Sequence, residues 1–123
     1  MDTILLSIKP IYAQRIFKGE KLFEFRKRLC RKGISKIIFY VTAPVCKILG
    51  EAEIENILAD TPSNLYEKTK HAAGIEKELF DFYFQNSSIG YAYQLKNILE
   101  YHTPKNLSDY HIKHAPQSFV YLA

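Results

Sequence analysis

Apolar and polar positions along this chain change rhythm several times, and each change marks an element. Thr3 to Ile8 is a short apolar run of strand formers that stops at Lys9-Pro10. Pro10 suits the first turn of a helix, and Tyr12, Ala13, Ile16 and Phe17 then recur at helical spacing, with Gly19 where a left-handed cap belongs. The next ten residues, Gly19 to Arg28, switch to a period of two. Phe23 and Phe25 fall on one side, and Glu24, Arg26 and Arg28 on the other, which predicts a strand with one charged face.

After the basic turn Arg31-Lys32-Gly33, residues Ser35 to Thr42 form a third strand that ends at Ala43-Pro44. Ile37, Phe39 and Val41 share one of its faces, and Lys36, Ile38 and Tyr40 the other. Val45 to Ile57 predicts a longer strand, bent or bulged at Gly50, whose Glu51, Glu53 and Glu55 make a solvated acidic edge. Thr61-Pro62 caps a helix to about Ala73, and Gly74 breaks it. Ile75 to Gln85 resumes with Leu79, Phe80, Tyr83 and Phe84 at helical spacing, completing a helical pair between strands, an insertion or a lid over one end of a sheet. Ile89 to Ile98 is a further strand, alternating at Tyr91, Tyr93 and Leu95. A polar stretch from His102 to Gln117 precedes a last strand at Ser118 to Leu122. No repeat or linker divides residues 1–123, so one domain is expected. The plan is α+β: a small mixed β-barrel of five to six strands with an early helix and an inserted helical pair, because too few helices exist to cover an open sheet on both faces.

Composition narrows the function. Apolar residues make up 47% and charged ones 24%, an ordinary globular balance that excludes disorder. The 17 Lys and Arg against 13 Asp and Glu leave a charge of +4, which favours polyanionic partners and nucleic acid before membrane. Met1-Asp2-Thr3 opens no signal peptide, and no apolar window approaches a membrane span, so a reducing cytoplasm is the expected location. Cys30 and Cys46 lie too far apart for a Cys-x-x-Cys motif. Cys30 sits in a basic stretch with Arg31 and Lys32, but no histidine pairs with it in sequence, so it reads as an incidental thiol. Asp109-x-His111-x-x-His114 has a spacing that fits a metal on a helical turn, yet solvated turn residues account for it better. His102 reads as a strand-end residue. No dinucleotide or phosphate-loop fingerprint is present, and no cofactor is called for.

The charged strand holds the chemistry. Lys21, Arg26, Lys27 and Arg28 set cationic donors along it, and Glu24 is placed to support Arg26 two residues on, so that its planar fork is preorganised for a phosphate or carboxylate. A solvated face with cross-strand ion pairs is the plainer reading of the same periodicity. For Lys21, a charged clamp is favoured over a general base: Glu24 raises its pKa, while burial and Arg26 oppose that. Tyr40, Tyr91 and Tyr93 are candidates for stacking on bases, although with nine tyrosines in the chain most must serve packing.

Gly19-x-Lys21-x-x-Glu24-x-Arg26, one helix after an N-terminal strand, resembles the G-x-K-x-x-E-x-R hallmark of the ASCH domain family. Leu5-Leu6-Ser7-Ile8-Lys9-Pro10-x-Tyr12-Ala13, Ala43-Pro44-Val45 and Ala115-Pro116-Gln117-Ser118-Phe119 extend the likeness to stand-alone prokaryotic members along the chain. The resemblance implies a PUA-like barrel that binds RNA or a nucleotide as a transcriptional or translational regulator. Lys21, Glu24 and Arg26 become cleft residues, and Ser7 and Lys9 approach the same cleft. Protein partners are not indicated. Some members of the family hydrolyse the amide of N4-acetylcytidine with a Lys, a Thr and a Glu. Here Glu24 fills the threonine position, and Glu67, Glu76 and Glu78 are all possible matches for the glutamate. Ribonuclease activity is attributed to other members, with Lys21, Glu24 and Arg26 as the cluster that stabilises developing phosphate charge.

Overall fold

A computed structural model describes residues 2–30 and 33–122. Arg31 and Lys32, which extend the basic stretch in sequence, lie outside the described residues. In chain order come β1 (Asp2–Ile8), α1 (Pro10–Phe17), β2 (Phe23–Arg26), β3 (Ile34–Val41), β4 (Lys47–Asp60), α2 (Pro62–Thr69), α3 (Lys77–Phe84), β5 (Gly90–Lys105) and β6 (Phe119–Leu122). Short 3₁₀ turns occupy Lys70–Ala72 and Leu107–Tyr110. The strands form one mixed sheet in the order β2-β5-β4-β3-β1-β6, curled into a half-barrel. Only β1 and β3 run parallel, with α1 and β2 in the crossover between them; the other neighbours are antiparallel. This is the α+β plan expected, in its curled-sheet form.

Alternation explains the layers. Ile4, Leu6 and Ile8 of β1 and Ile37, Phe39 and Val41 of β3 point into the hollow of the sheet, where Ala13 and Ile16 of α1 plug the core. Leu5, Ile38, Tyr40 and Ile48 point the other way into a smaller cluster roofed by Tyr101, Tyr110 and Val120. A third cluster joins Phe23 and Phe25 of β2 to Leu65 of α2 and to Phe80 and Phe84 of α3, so the inserted helical pair covers the outer face of β2 and β5. Gly50 lets α1 approach β4: a Cβ there would stand 2.6 Å from the Phe17 ring and 2.4 Å from the Leu99 carbonyl.

Three expectations change. β2 is confined to Phe23–Arg26, because only those residues pair with β5; Gly19 to Leu22 form a turn and an extended entry. β4 is no edge: it runs on to Asp60 between β3 and β5, it bulges at Leu49 against β3, and Glu51 and Glu53 are met by neighbours. Glu51 pairs with Lys36 at 3.0 Å and accepts from Tyr101 at 2.7 Å, and Glu53 accepts from Asn97 at 3.0 Å. β5 continues to Lys105 through residues expected to be loop. Gly50 pairs with Glu100 but Ile48 with Lys105, so the strand bulges around Pro104, which a regular ladder would exclude, and His102 lies within the strand.

A charged seam between the sheet edges

The two outer strands of the half-barrel, β2 and β6, leave a gap, and the motif residues fill it. Gly19, with φ +81°, turns the chain out of α1, and the amides of Glu20 and Lys21 bond back to the Arg15 carbonyl. Leu22 then donates to Ala72 O and accepts from Leu95 N, which fixes where β2 starts. With Phe23 and Phe25 committed to the helical pair, the period of two turns Glu24 and Arg26 to the opposite side.

Glu24 is 7% exposed, and its carboxylate meets Arg26 Nη2 at 2.6 Å. The guanidinium also reaches across the gap, Nη1 to Ser118 Oγ at 3.1 Å and Nη2 to the Ser7 carbonyl at 3.5 Å. Arg26 Nε is buried with no hydrogen-bond partner. Ser7 is tied to the same rim, its Oγ donating to Pro116 O at 2.6 Å and its amide to Ser118 O at 2.9 Å. One arginine therefore joins the two ends of the sheet by side-chain contacts where a closed barrel would use a ladder.

Lys21 lies deeper, 3% exposed. Its ammonium donates to Ala73 O at 2.8 Å and stands 4.8 Å from the Phe25 ring and 5.4 Å from the Tyr12 ring. Gly74, with φ +65°, lies over its stem so closely that a Cβ there would stand 2.3 Å from Lys21 Cβ. Arg15 clamps this loop by donating to Gly74 O at 2.9 Å and to Glu76 at 2.8 Å. Burial pulls the Lys21 ammonium down to about 8; the Glu24 charge opposes this, and Arg15 and Arg26 add to it. The balance that the sequence left open thus falls to desolvation.

The structure brings Lys21, Glu24, Arg26 and Ser7 together at the seam. Lys9 is exposed where β1 meets α1. Tyr40 is 7% exposed and packs with Leu5, Ile38 and Ile48, and its phenol is pushed up by burial and a hydrogen bond to Cys46. Tyr93 is 1% exposed and accepts from the Cys30 amide at 2.8 Å. Neither ring is a free platform for a base, because strands at the centre of so small a sheet consign their tyrosines to packing; Tyr91 is half-buried. Lys27 and Arg28 are exposed. Glu67 pairs with Lys70 and Glu76 with Arg15, and Glu78 is exposed on α3. Asp109 spends a carboxylate oxygen on the Asn106 amide at 2.8 Å, and no group of three or more metal-ligating side chains forms among the described residues. Sequence reasoning placed none of Ser118, Tyr12, Arg15 or Gly74 at the site. A glycine at a helix break was the signal available for the last; the others touch the motif only through the fold.

Two concavities lie away from the seam. One, of about 590 Å³, runs between α1 and the β3–β4 turn past Ile11, Phe17, Val45 and Leu49. The other, of about 650 Å³, is lined by Cys46, Asn106, His111 and Lys113. No helix among the described residues is long and apolar enough to cross a membrane.

A curled mixed sheet whose G-x-K-x-x-E-x-R residues sit between its edges is an ASCH domain of PUA-like fold. It superimposes on the crystal structure of ASCH from Zymomonas mobilis with a TM-score of 0.90 and 26% identity, over 98% of this chain and 87% of that one. By sequence the chain belongs to the family described as "Domain of unknown function (DUF365)", which matches residues 1–117. It is 28% identical over 94 residues to an ASCH domain-containing ribonuclease of Zymomonas mobilis, covering 76% of this chain and 64% of that protein. It is also 30% identical over 122 residues to the large ribosomal subunit protein uL22 of Ureaplasma parvum. There the match takes in 98% of this chain but 39% of the ribosomal protein, so the chain spans about two fifths of that relative's length.

Proposed function

We propose that this chain is an RNA-binding module whose seam grips a phosphate of the backbone. The observation that carries the reading is Arg26, held by Glu24 at 2.6 Å with Nη1 and Nη2 turned across the gap to Ser118 and the Ser7 carbonyl. A phosphate that takes the place of Ser118 and the Ser7 carbonyl gains Nη1 and Nη2 as a two-pronged donor, while Glu24 keeps the fork aligned. Lys21, charged at neutral pH, supplies positive potential from below without leaving its bond to Ala73. Likeness to an ASCH domain-containing ribonuclease supports RNA as the polyanion. Action by binding alone is what a regulator of transcription or translation requires. Both cysteines are free, in keeping with a reducing cytoplasm.

The test is a titration of labelled RNA at several salt concentrations. Arg26→Ala is expected to weaken binding about tenfold or more and to reduce the salt slope by about one, and Arg26→Lys, which keeps charge but not the fork, to fall between. Unchanged affinity and slope in a folded Arg26→Ala protein would overturn the proposal.

A ribonuclease reading has one specific support: an amine near pKa 8 is partly neutral at working pH, as a general base must be. It requires cleavage of labelled RNA by the pure protein in excess; intact RNA overturns it. N4-acetylcytidine hydrolysis has no such support, since Glu24 stands in the threonine position and its carboxylate is committed to Arg26.

A further inference from the structure

Beside the seam, α3 presents a surface that the motif does not include. Leu79, Phe82 and Tyr83, spaced i, i+3, i+4, form a stripe flanking the buried pair Phe80 and Phe84. Phe82 is 69% exposed, the most exposed large apolar side chain among the described residues, and Leu79 is 49% exposed. Tyr83 is half-buried, and Lys27 Nζ, one residue beyond β2, stands 4.8 Å from its ring centre. Lys27 follows Arg26 directly in the chain, so the inner end of the stripe adjoins the end of β2. Asp81 is held by Lys77 at 2.7 Å, and Glu78, one turn before Phe82, borders the stripe on the side away from Lys27.

We propose that Phe82 and Tyr83, with Lys27 beside them, are a stacking platform for an unpaired base of single-stranded RNA whose backbone lies on the Arg26 seam. The inference rests on the RNA reading above and adds the form of RNA and the residues that choose it. An open aromatic next to a cation suits this ligand: the ring meets the flat face of a base, and the ammonium meets the adjoining phosphate. Bases inside a duplex are already stacked on each other and offer no free face, so the platform discriminates against double-stranded RNA. Charge complementarity decides the occupant, since Lys27 borders the stripe where it meets the end of β2.

The chain contains no tryptophan, so Phe82→Trp sets a single indole at the platform. On titration with a mixed-sequence single-stranded oligoribonucleotide, that indole is expected to be quenched. Phe82→Ala should bind roughly tenfold more weakly with an unchanged salt slope, and Lys27→Ala should lower the slope by about one. The duplex form of the same sequence should bind Phe82→Ala and wild type alike. If Phe82→Ala binds single strands as wild type does while Arg26→Ala is weakened, the platform is wrong and the seam reading stands. If the wild-type protein binds no RNA, both are wrong. In that case, self-association in sedimentation velocity that Phe82→Ala abolishes would identify the stripe as an interface between copies of the chain.

Discussion

β2 and β4 have the same written pattern, charged and apolar residues in strict alternation, and meet opposite fates. On β4 the glutamates stay at the surface, Glu51 half-buried against Lys36 and Tyr101, Glu53 beside Asn97 and Glu55 exposed. On β2, which lies at the edge of the sheet, Glu24 is 7% exposed, and Lys21 just before it is 3% exposed. Position in the sheet alone would predict the reverse. β2 is buried because both of its faces are covered, the aromatic one by the helical pair and the charged one by the far rim of the sheet. Buried charge is expensive unless paired, so a fold that keeps it at an open seam does so at a cost in stability. The comparison separates charge that solubilises from charge that is held ready.

The largest expected effect is at Glu24. Glu24→Ala strands Arg26 and Lys21 in the seam, and the loss in urea unfolding should be about 4 kcal/mol. A loss no greater than that of an exposed pair would erase the difference between the two strands. Gly74→Ala comes next: a left-handed φ and a Cβ driven against Lys21 should together cost about 3 kcal/mol, against about 1 kcal/mol for Gly19→Ala, where φ is also positive but the space is open. A melt that ranks these two equally would mean that the loop over Lys21 gives way freely. The third effect is in pH. Folded Lys21 releases its proton near 8 and the unfolded chain only near 10.5, so between those values the unfolded state binds more protons and stability rises with pH. Relative to Lys21→Met, the wild type should gain about 2 kcal/mol between pH 7 and pH 9.5 in parallel urea titrations. A flat difference would place the ammonium in water. Smallest is Glu51→Ala on β4, where a partly exposed ion pair should be worth about 1 kcal/mol or less.

Local chemistry was readable and remote chemistry was not. The two faces of β3, the cap at Gly19 and the Thr61-Pro62 helix start depend on neighbours a few residues away, and each appears as the sequence indicates. The central place of β4 depends on strand order, which no local pattern encodes. The motif announced that Lys21, Glu24 and Arg26 belong together. It did not announce that Lys21 would be sealed by Ala73 and Gly74, or that Arg26 would end on Ser118, because those partners lie 52 and 92 residues away for the two bonds concerned. The tyrosines misled for a related reason. Tyr40 and Tyr93 alternate correctly for their strands, yet alternation names a face without saying whether that face is wet.

The pairing of β1 with β6 has a consequence for how this fold travels. Thr3 and Leu122 are register partners in antiparallel strands, so the polypeptide leaves the fold beside the point where it enters. A unit with adjoining ends can be spliced into the exposed loop of a host, or joined to its terminus, without stretching either one. In the ribosomal relative, the matching stretch likewise occupies only 39% of a longer chain.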